Sequence, residues 1–141
     1  MQSTQKRSRP GWVWAIAIWF GVGALITLLS LSLAASGAIH MNAAQSAYFA
    51  GLTATDYAMS ILIGSLNLVG AIFIALLRRA ALYLFCISLV LNVLMTIWHT
   101  VAKGFIAAFG DSAVVGMILA IGLLCAVCLY SRRLIDRGIL V

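Results

Sequence analysis

The sequence predicts an all-α integral membrane protein: four transmembrane helices in an up-down-up-down bundle with N and C termini cytoplasmic. Three observations carry that reading. Apolar residues make up 65% of the chain and charged residues 9%, more oil than the core of one soluble domain of 141 residues can hide. Four apolar runs, 12–35, 54–77, 80–101 and 112–130, each approach or exceed the roughly 20 residues needed to cross a hydrocarbon core of about 30 Å. Finally, Lys6, Arg7, Arg9, Arg78, Arg79, Arg132, Arg133 and Arg137 fall on one side of this arrangement and only Lys103 on the other.

These runs make residues 1–141 a single transmembrane domain, with an outer connection at 36–53 and no Gly/Ser linker, low-complexity tract or repeat. A net charge of +6 would point a soluble protein toward nucleic acid; distributed like this, it points to lipid and no nucleic-acid partner. The positive-inside rule puts both termini and the Arg78-Arg79 turn in the cytoplasm of a bacterial inner-membrane, multi-pass protein. Arg78, Arg79, Arg132 and Arg133 are then cytoplasmic anchors on anionic headgroups.

The first span opens at Pro10, where a first helical position tolerates a missing N–H, and Trp12, Trp14 and Trp19 mark the cytoplasmic interface. Its apolar run is too long for a signal peptide, although Lys6 to Arg9 resembles an n-region. Gly23, Thr27, Ser30 and Ala34 recur at helical spacing and predict a small-residue face for close helix contact. In the connection, Asn42 and Gln45 form a helix-starting pattern, and Tyr48 and Phe49 before Gly51 predict a short interfacial helix. Thr53 to Asp56 is a capping-box pattern opening the second span, so capping is the first role expected of Asp56. Asp111 or Ser112 is expected to cap the fourth span, whose Ser112, Gly116 and Ala120 form a second small-residue face. Asp136 is expected to pair with the surrounding arginines, Gly138 to stop the helix, and Ile139-Leu140-Val141 either to fold back onto the bundle or to enter the inner leaflet.

Polar residues inside the spans are few and periodic. Asp56, Ser60, Gly64, Asn67, Ala71 and Ala75 share one face of the second span, and Ser88, Asn92, Thr96, His99 and Lys103 one face of the third. With the turn centred between Arg78 and Arg79, depth mirrors about position 78.5. That register sets Asn67 beside Asn92, Ser60 beside Thr96, and Asp56 beside His99 and Lys103. An unpaired amide in hydrocarbon is costly, so these seven residues (Asp56, Ser60, Asn67, Asn92, Thr96, His99, Lys103) form either an interhelical polar seam or the wall of a cavity.

Other chemistries find little support. His40 and His99 could in principle hold a haem between helices, but no second-shell pattern accompanies them; no cofactor and no metal are expected. Cys125 and Cys128 form a C-x-x-C with Cys86 on the third span, all in the cytoplasmic half, where thiols stay reduced and act as small apolar groups. The four-span plan resembles that of small multidrug exporters and fluoride channels in length alone. There is no glutamate anywhere, and the charge bias opposes dual topology. With no phosphate loop, acid–base pair or nucleophile elbow, the expected role is non-enzymatic: an accessory or interaction subunit, its partners the bilayer and a larger membrane protein or a second copy. The alternative is a small oligomeric transporter or channel with a polar path between the second and third spans.

Overall fold

The computed structural model describes residues 11–38 and 40–140; Pro10, the N-terminal basic residues and Val141 lie outside that range. The described chain is helical, with no strand: α1 (Gly11–Ala35), α2 (Ala43–Ala50), α3 (Ala54–Ala75), α4 (Ala80–Ala102), α5 (Phe105–Phe109) and α6 (Asp111–Asp136). Four of these, α1, α3, α4 and α6, are long and apolar enough to cross a membrane, which makes the chain a multi-pass membrane protein.

Local chemistry accounts for most helix ends. Asn42 and Gln45 close a full capping box on α2, and Thr53 and Asp56 close another on α3. The fourth span departs from expectation at its start, and its helix outruns the 112–130 apolar run before the expected stop at Gly138. Its N-cap is Gly110 with no side-chain cap, because a positive φ of 73° turns the chain there and leaves Asp111 and Ser112 inside the first turn. It also continues past Tyr130 to Asp136, because Ser131 and Leu134 face the core and keep that turn buried. Beyond it, Gly138 at φ 65° lets Gly138 N–H donate to the Ile135 carbonyl and Ile139 N–H to that of Leu134, a Schellman stop. The tail then folds back: Leu140 is fully buried, and its carbonyl accepts from Arg79 Nε at 3.1 Å. Asp136 is exposed and makes no ion pair among the described residues.

The turn between α3 and α4 is built by the same device without a glycine. Leu77 takes φ 56°, its N–H donates to Ile74 and that of Arg78 to Phe73. A left-handed leucine costs about 1–2 kcal/mol, offset here because Leu77 packs against the core. The hairpin therefore reverses midway between Ala75 and Ala80, at 77.5 rather than 78.5. Asn67 accordingly moves from Asn92 to Ser88, while Asp56 keeps His99 and Lys103 beside it.

The spans pack in chain order, α1 on α3, α3 on α4 and α4 on α6, with at most marginal contact between α1 and α6. At the basic end all four converge on one core of Val13, Ile74, Ala81, Phe85, Val127, Cys128, Leu134 and Leu140. Phe85 is its centre: the ring lies on Gly70 and meets Phe20 edge-on at 5.3 Å. Further along, Leu28 fills the notch at Gly64, where an added methyl would stand 2.9 Å from Leu28 Cδ2. The α1 face that packs is thus that of Gly21, Ala24 and Leu28. The expected face of Gly23, Thr27, Ser30 and Ala34 is rotated off it, and nothing lies within 4 Å of a Cβ built on Gly23.

A Cβ at Gly70 would sit 3.1 Å from two Phe85 ring atoms, and the fully buried ring has nowhere to retreat. Gly70→Val should therefore lower stability by about 1–3 kcal/mol in denaturant titration of the micellar protein. Gly122→Val, where nothing lies within 4 Å, should stay within about 0.5 kcal/mol of wild type. Equal stability of the two variants would contradict the ring-on-glycine contact.

Candidate functional site

Two connected features lie toward the end opposite the basic core. The first is a charged knot around Asp56. The carboxylate, 4% exposed, accepts from Thr53 N–H at 2.7 Å and from Thr53 Oγ1 at 2.8 Å on one oxygen, and from Trp98 Nε1 at 3.3 Å on the other. Lys103 Nζ stands 3.5 Å and His99 Nε2 3.8 Å from it. Lys103 also donates to the Gly51 carbonyl at 2.7 Å, which ties the α2–α3 connection to the end of α4. Asp56 is a cap, as its sequence context implies, and is also the hub where three elements meet.

His99 continues this knot into the short helices. Its Nδ1 is hydrogen-bonded to the Tyr48 hydroxyl; with the hydroxyl donating, the ring proton sits on Nε2, facing Asp56. Tyr48 in turn packs edge-on against Phe49, Phe105 and Phe109, with ring centroids 5.3–5.8 Å away. This aromatic cap joins α2 to α5. Burial, and secondarily the negative charge of Asp56, pushes the Tyr48 phenol from 10.0 up to about 12.

Below the cap lies the second feature, a cavity of about 670 Å³ walled by all four spans. Tyr48 and Phe105 form its roof; Ser60, Gly64 and Asn67 of α3 and Asn92, Thr96 and His99 of α4 form one wall. The opposite side is lined by Gly23 and Thr27 of α1 and by Gly116 and Ala120 of α6. Those are the two small-residue faces expected to pack against neighbouring helices. Instead they flank the gap where α1 and α6 fail to meet, and neither Gly23 nor Gly116 has an atom within 4 Å of a built Cβ. Trp19, expected at the interface, stands at the same opening.

The structure thus brings five of the seven seam candidates, Ser60, Asn67, Asn92, Thr96 and His99, to one cavity wall and leaves Asp56 and Lys103 paired with each other outside it. Their pairings differ from the expected register. Asn67 Oδ1 accepts from Ser88 at 2.7 Å rather than meeting Asn92, one helical turn away, and Ser60 donates to the Asp56 carbonyl at 2.9 Å. The displaced turn at Leu77 accounts for the Asn67–Ser88 pair, whereas the Ser60 bond lies within α3. Of the basic anchors, Arg78, Arg132 and Arg133 are exposed, and Arg79 additionally holds the C-terminal tail. His40 is exposed in the connection; the three cysteines are free, Cys128 buried and Cys86 and Cys125 exposed. Among the described residues no group of three or more His, Cys, Asp or Glu side chains is placed to hold a metal ion.

Tyr48, Trp98 and Phe105 were not singled out by periodicity as partners of the polar face. Tyr48 and Phe105 sit on short helices whose docking depends on tertiary contact, and Trp98 lies one position off the polar stripe. The sequence matches no known protein family, no curated protein and no solved structure.

Asn at position 56 would cap α3 but would turn an amide N–H₂ toward one of the donors that the carboxylate now accepts from. Asp56→Asn should cost about 1–3 kcal/mol in stability, read from thermal unfolding in micelles; an unchanged midpoint would reduce Asp56 to a cap. The Tyr48 phenol has its own signature. Because its folded pKa is raised, its contribution to stability is complete below pH 10 and is lost as pH rises toward 12. The tyrosinate absorbance titration of wild type minus Tyr48→Phe should accordingly show a midpoint well above the ordinary 10.0, and an ordinary midpoint would mean that the aromatic cap is open to water.

Proposed function

We propose that this is a non-enzymatic accessory or interaction subunit of a bacterial inner membrane, an up-down-up-down bundle with cytoplasmic termini, that holds a hydrophobic guest in the cavity between α1 and α6. The observation that carries the proposal is the cavity's shape: about 670 Å³, the size of a site for a drug-sized molecule, with small residues on both edges of the gap. A gap between two spans faces the bilayer, so the guest arrives from lipid rather than from water.

A non-catalytic role is supported by how the reactive groups near the cavity are used. Ser60 and Thr27 hydroxyls are spent on backbone carbonyls one turn back, and His99 is held between Tyr48 and Asp56. No hydroxyl on this wall is hydrogen-bonded to a free base. The cytoplasmic orientation is supported by Arg78, Arg132, Arg133 and Arg137, which are exposed at one end of the spans, with Lys103 at the other.

One observation favours the second reading, a small oligomeric transporter or channel: the wall carries Asn67, Asn92 and Thr96, polar groups suited to a passing solute. Such a path would run along the α1–α6 side. Between α3 and α4 themselves, Phe85 against Gly70 fills the space.

Native mass spectrometry of the gently extracted protein tests the guest-binding role. Wild type should carry a non-covalent adduct of small-molecule mass, and Gly23→Leu/Gly116→Leu, which adds bulk where a Cβ meets nothing within 4 Å, should lose it. A wild-type chain that flies without adduct, as the double variant does, would sink the reading.

A further inference from the structure

We propose that the guest is a neutral lipophile bearing a carbonyl, of the ketone, quinone or ester class, whose oxygen docks on the α3–α4 wall while its apolar body extends toward the α1–α6 gap. The inference rests on the guest-binding reading above and adds the chemistry of recognition.

Charge comes first. Among the described residues no acid, lysine or arginine lines the cavity, and Asp56 and Lys103 neutralise each other 3.5 Å apart outside the wall. An ionic guest would lose its hydration at membrane depth and gain no counter-charge. A neutral guest has no such cost.

Hydrogen bonding comes second. Thr27 and Ser60 are committed to backbone carbonyls at 2.9 Å, and Tyr48 and His99 to each other. Three groups on the wall keep unused capacity among the described residues: the Asn67 amide nitrogen, since only its oxygen is taken by Ser88; the whole Asn92 amide; and the Thr96 hydroxyl. Two of these, Asn92 and Thr96, stand one turn apart on α4. Their shared property is an N–H or O–H with no acceptor, and a carbonyl oxygen with two lone pairs is the acceptor that fits. A purely apolar guest covering these donors would leave them unsatisfied, which is costly.

Geometry completes the case. The unused donors lie on α3 and α4, opposite the opening, while the opening is framed by Gly23, Gly116 and Ala120 with room beside both glycines. Trp19, Met117, Leu119 and Leu123 supply the apolar surface between. A polar head at the back and an apolar body at the mouth is the orientation this arrangement selects.

Benzophenone serves as both ligand and photoreactive probe, being a neutral aryl ketone. The purified full chain in phosphatidylcholine nanodiscs is irradiated with increasing benzophenone, and attachment is mapped by peptide mass spectrometry. Saturable attachment on the wall, at Met95 or Met117, is expected. Diphenylmethane, with the carbonyl replaced by CH₂, should protect about tenfold more weakly than an unlabelled aryl ketone, and Asn92→Leu and Thr96→Val should each weaken attachment about five- to tenfold. Benzophenone-4-carboxylate should protect less well than the neutral ketone. Equal protection by diphenylmethane, or better protection by the carboxylate, would overturn recognition of a neutral carbonyl and leave the cavity as a guest site. Absence of saturable attachment to the wall would overturn both. Should Asn92→Leu fail to fold, Thr96→Val and the diphenylmethane comparison decide.

Discussion

The Phe85 ring on Gly70 is the contact from which the rest of this structure follows. A full aromatic ring fits between α3 and α4 only because position 70 has no side chain, and once there it reaches Phe20 of α1 as well. Three spans are thereby fixed to one another at the basic end, and Val127, Cys128 and Leu134 bring in the fourth. Interior packing of this kind tolerates little change of volume. No ring fills the space nearer Asp56, where Gly23, Gly116 and Ala120 border the cavity and the four helices stand apart. A closed end and a hollow end are two results of where the bulk of the side chains lies.

The hollow end needs another means of cohesion, and electrostatics supplies it. Asp56 collects Thr53, Trp98, Lys103 and His99 around one buried carboxylate, and Tyr48 extends that network into the aromatic cap. Thr53 comes from the α2–α3 connection and Trp98, His99 and Lys103 from the end of α4, so the knot holds that connection, α3 and α4 in place without filling the space below. Breaking a buried charge pair by removing one partner is strongly destabilising, whereas forming it contributes modestly. Its value here is positional: it keeps a roof over the cavity.

Much of this was legible in the residues, for identifiable reasons. Spans are legible because hydrocarbon thickness fixes their length, and both capping boxes because Asn42–Gln45 and Thr53–Asp56 are local patterns. Helical periodicity also placed Ser60, Asn67, Asn92, Thr96 and His99 on shared faces. Register was harder: the reversal rests on Leu77 in a left-handed conformation that normally calls for glycine, so the turn was assigned to the arginines beside it. Small-residue faces gave the opposite of what they suggested, since Gly23 and Gly116 identify where backbones can approach but not whether they do. The Tyr48 contact with His99, made across 51 positions of sequence, depends on a docked short helix that no local pattern encodes.

The packing order of the spans has a consequence for how the molecule is made. Since α1 rests on α3, α3 on α4 and α4 on α6, every span after the first finds its main neighbour already in the membrane when it leaves the ribosome. No span must wait for a later one, and the short sequence separation between partners is the condition under which chains assemble fastest. Between α1 and α6, which would join the first span to the fourth, contact is at most marginal outside the shared core at the basic end. The arrival of α6 then turns a groove on three helices into a chamber.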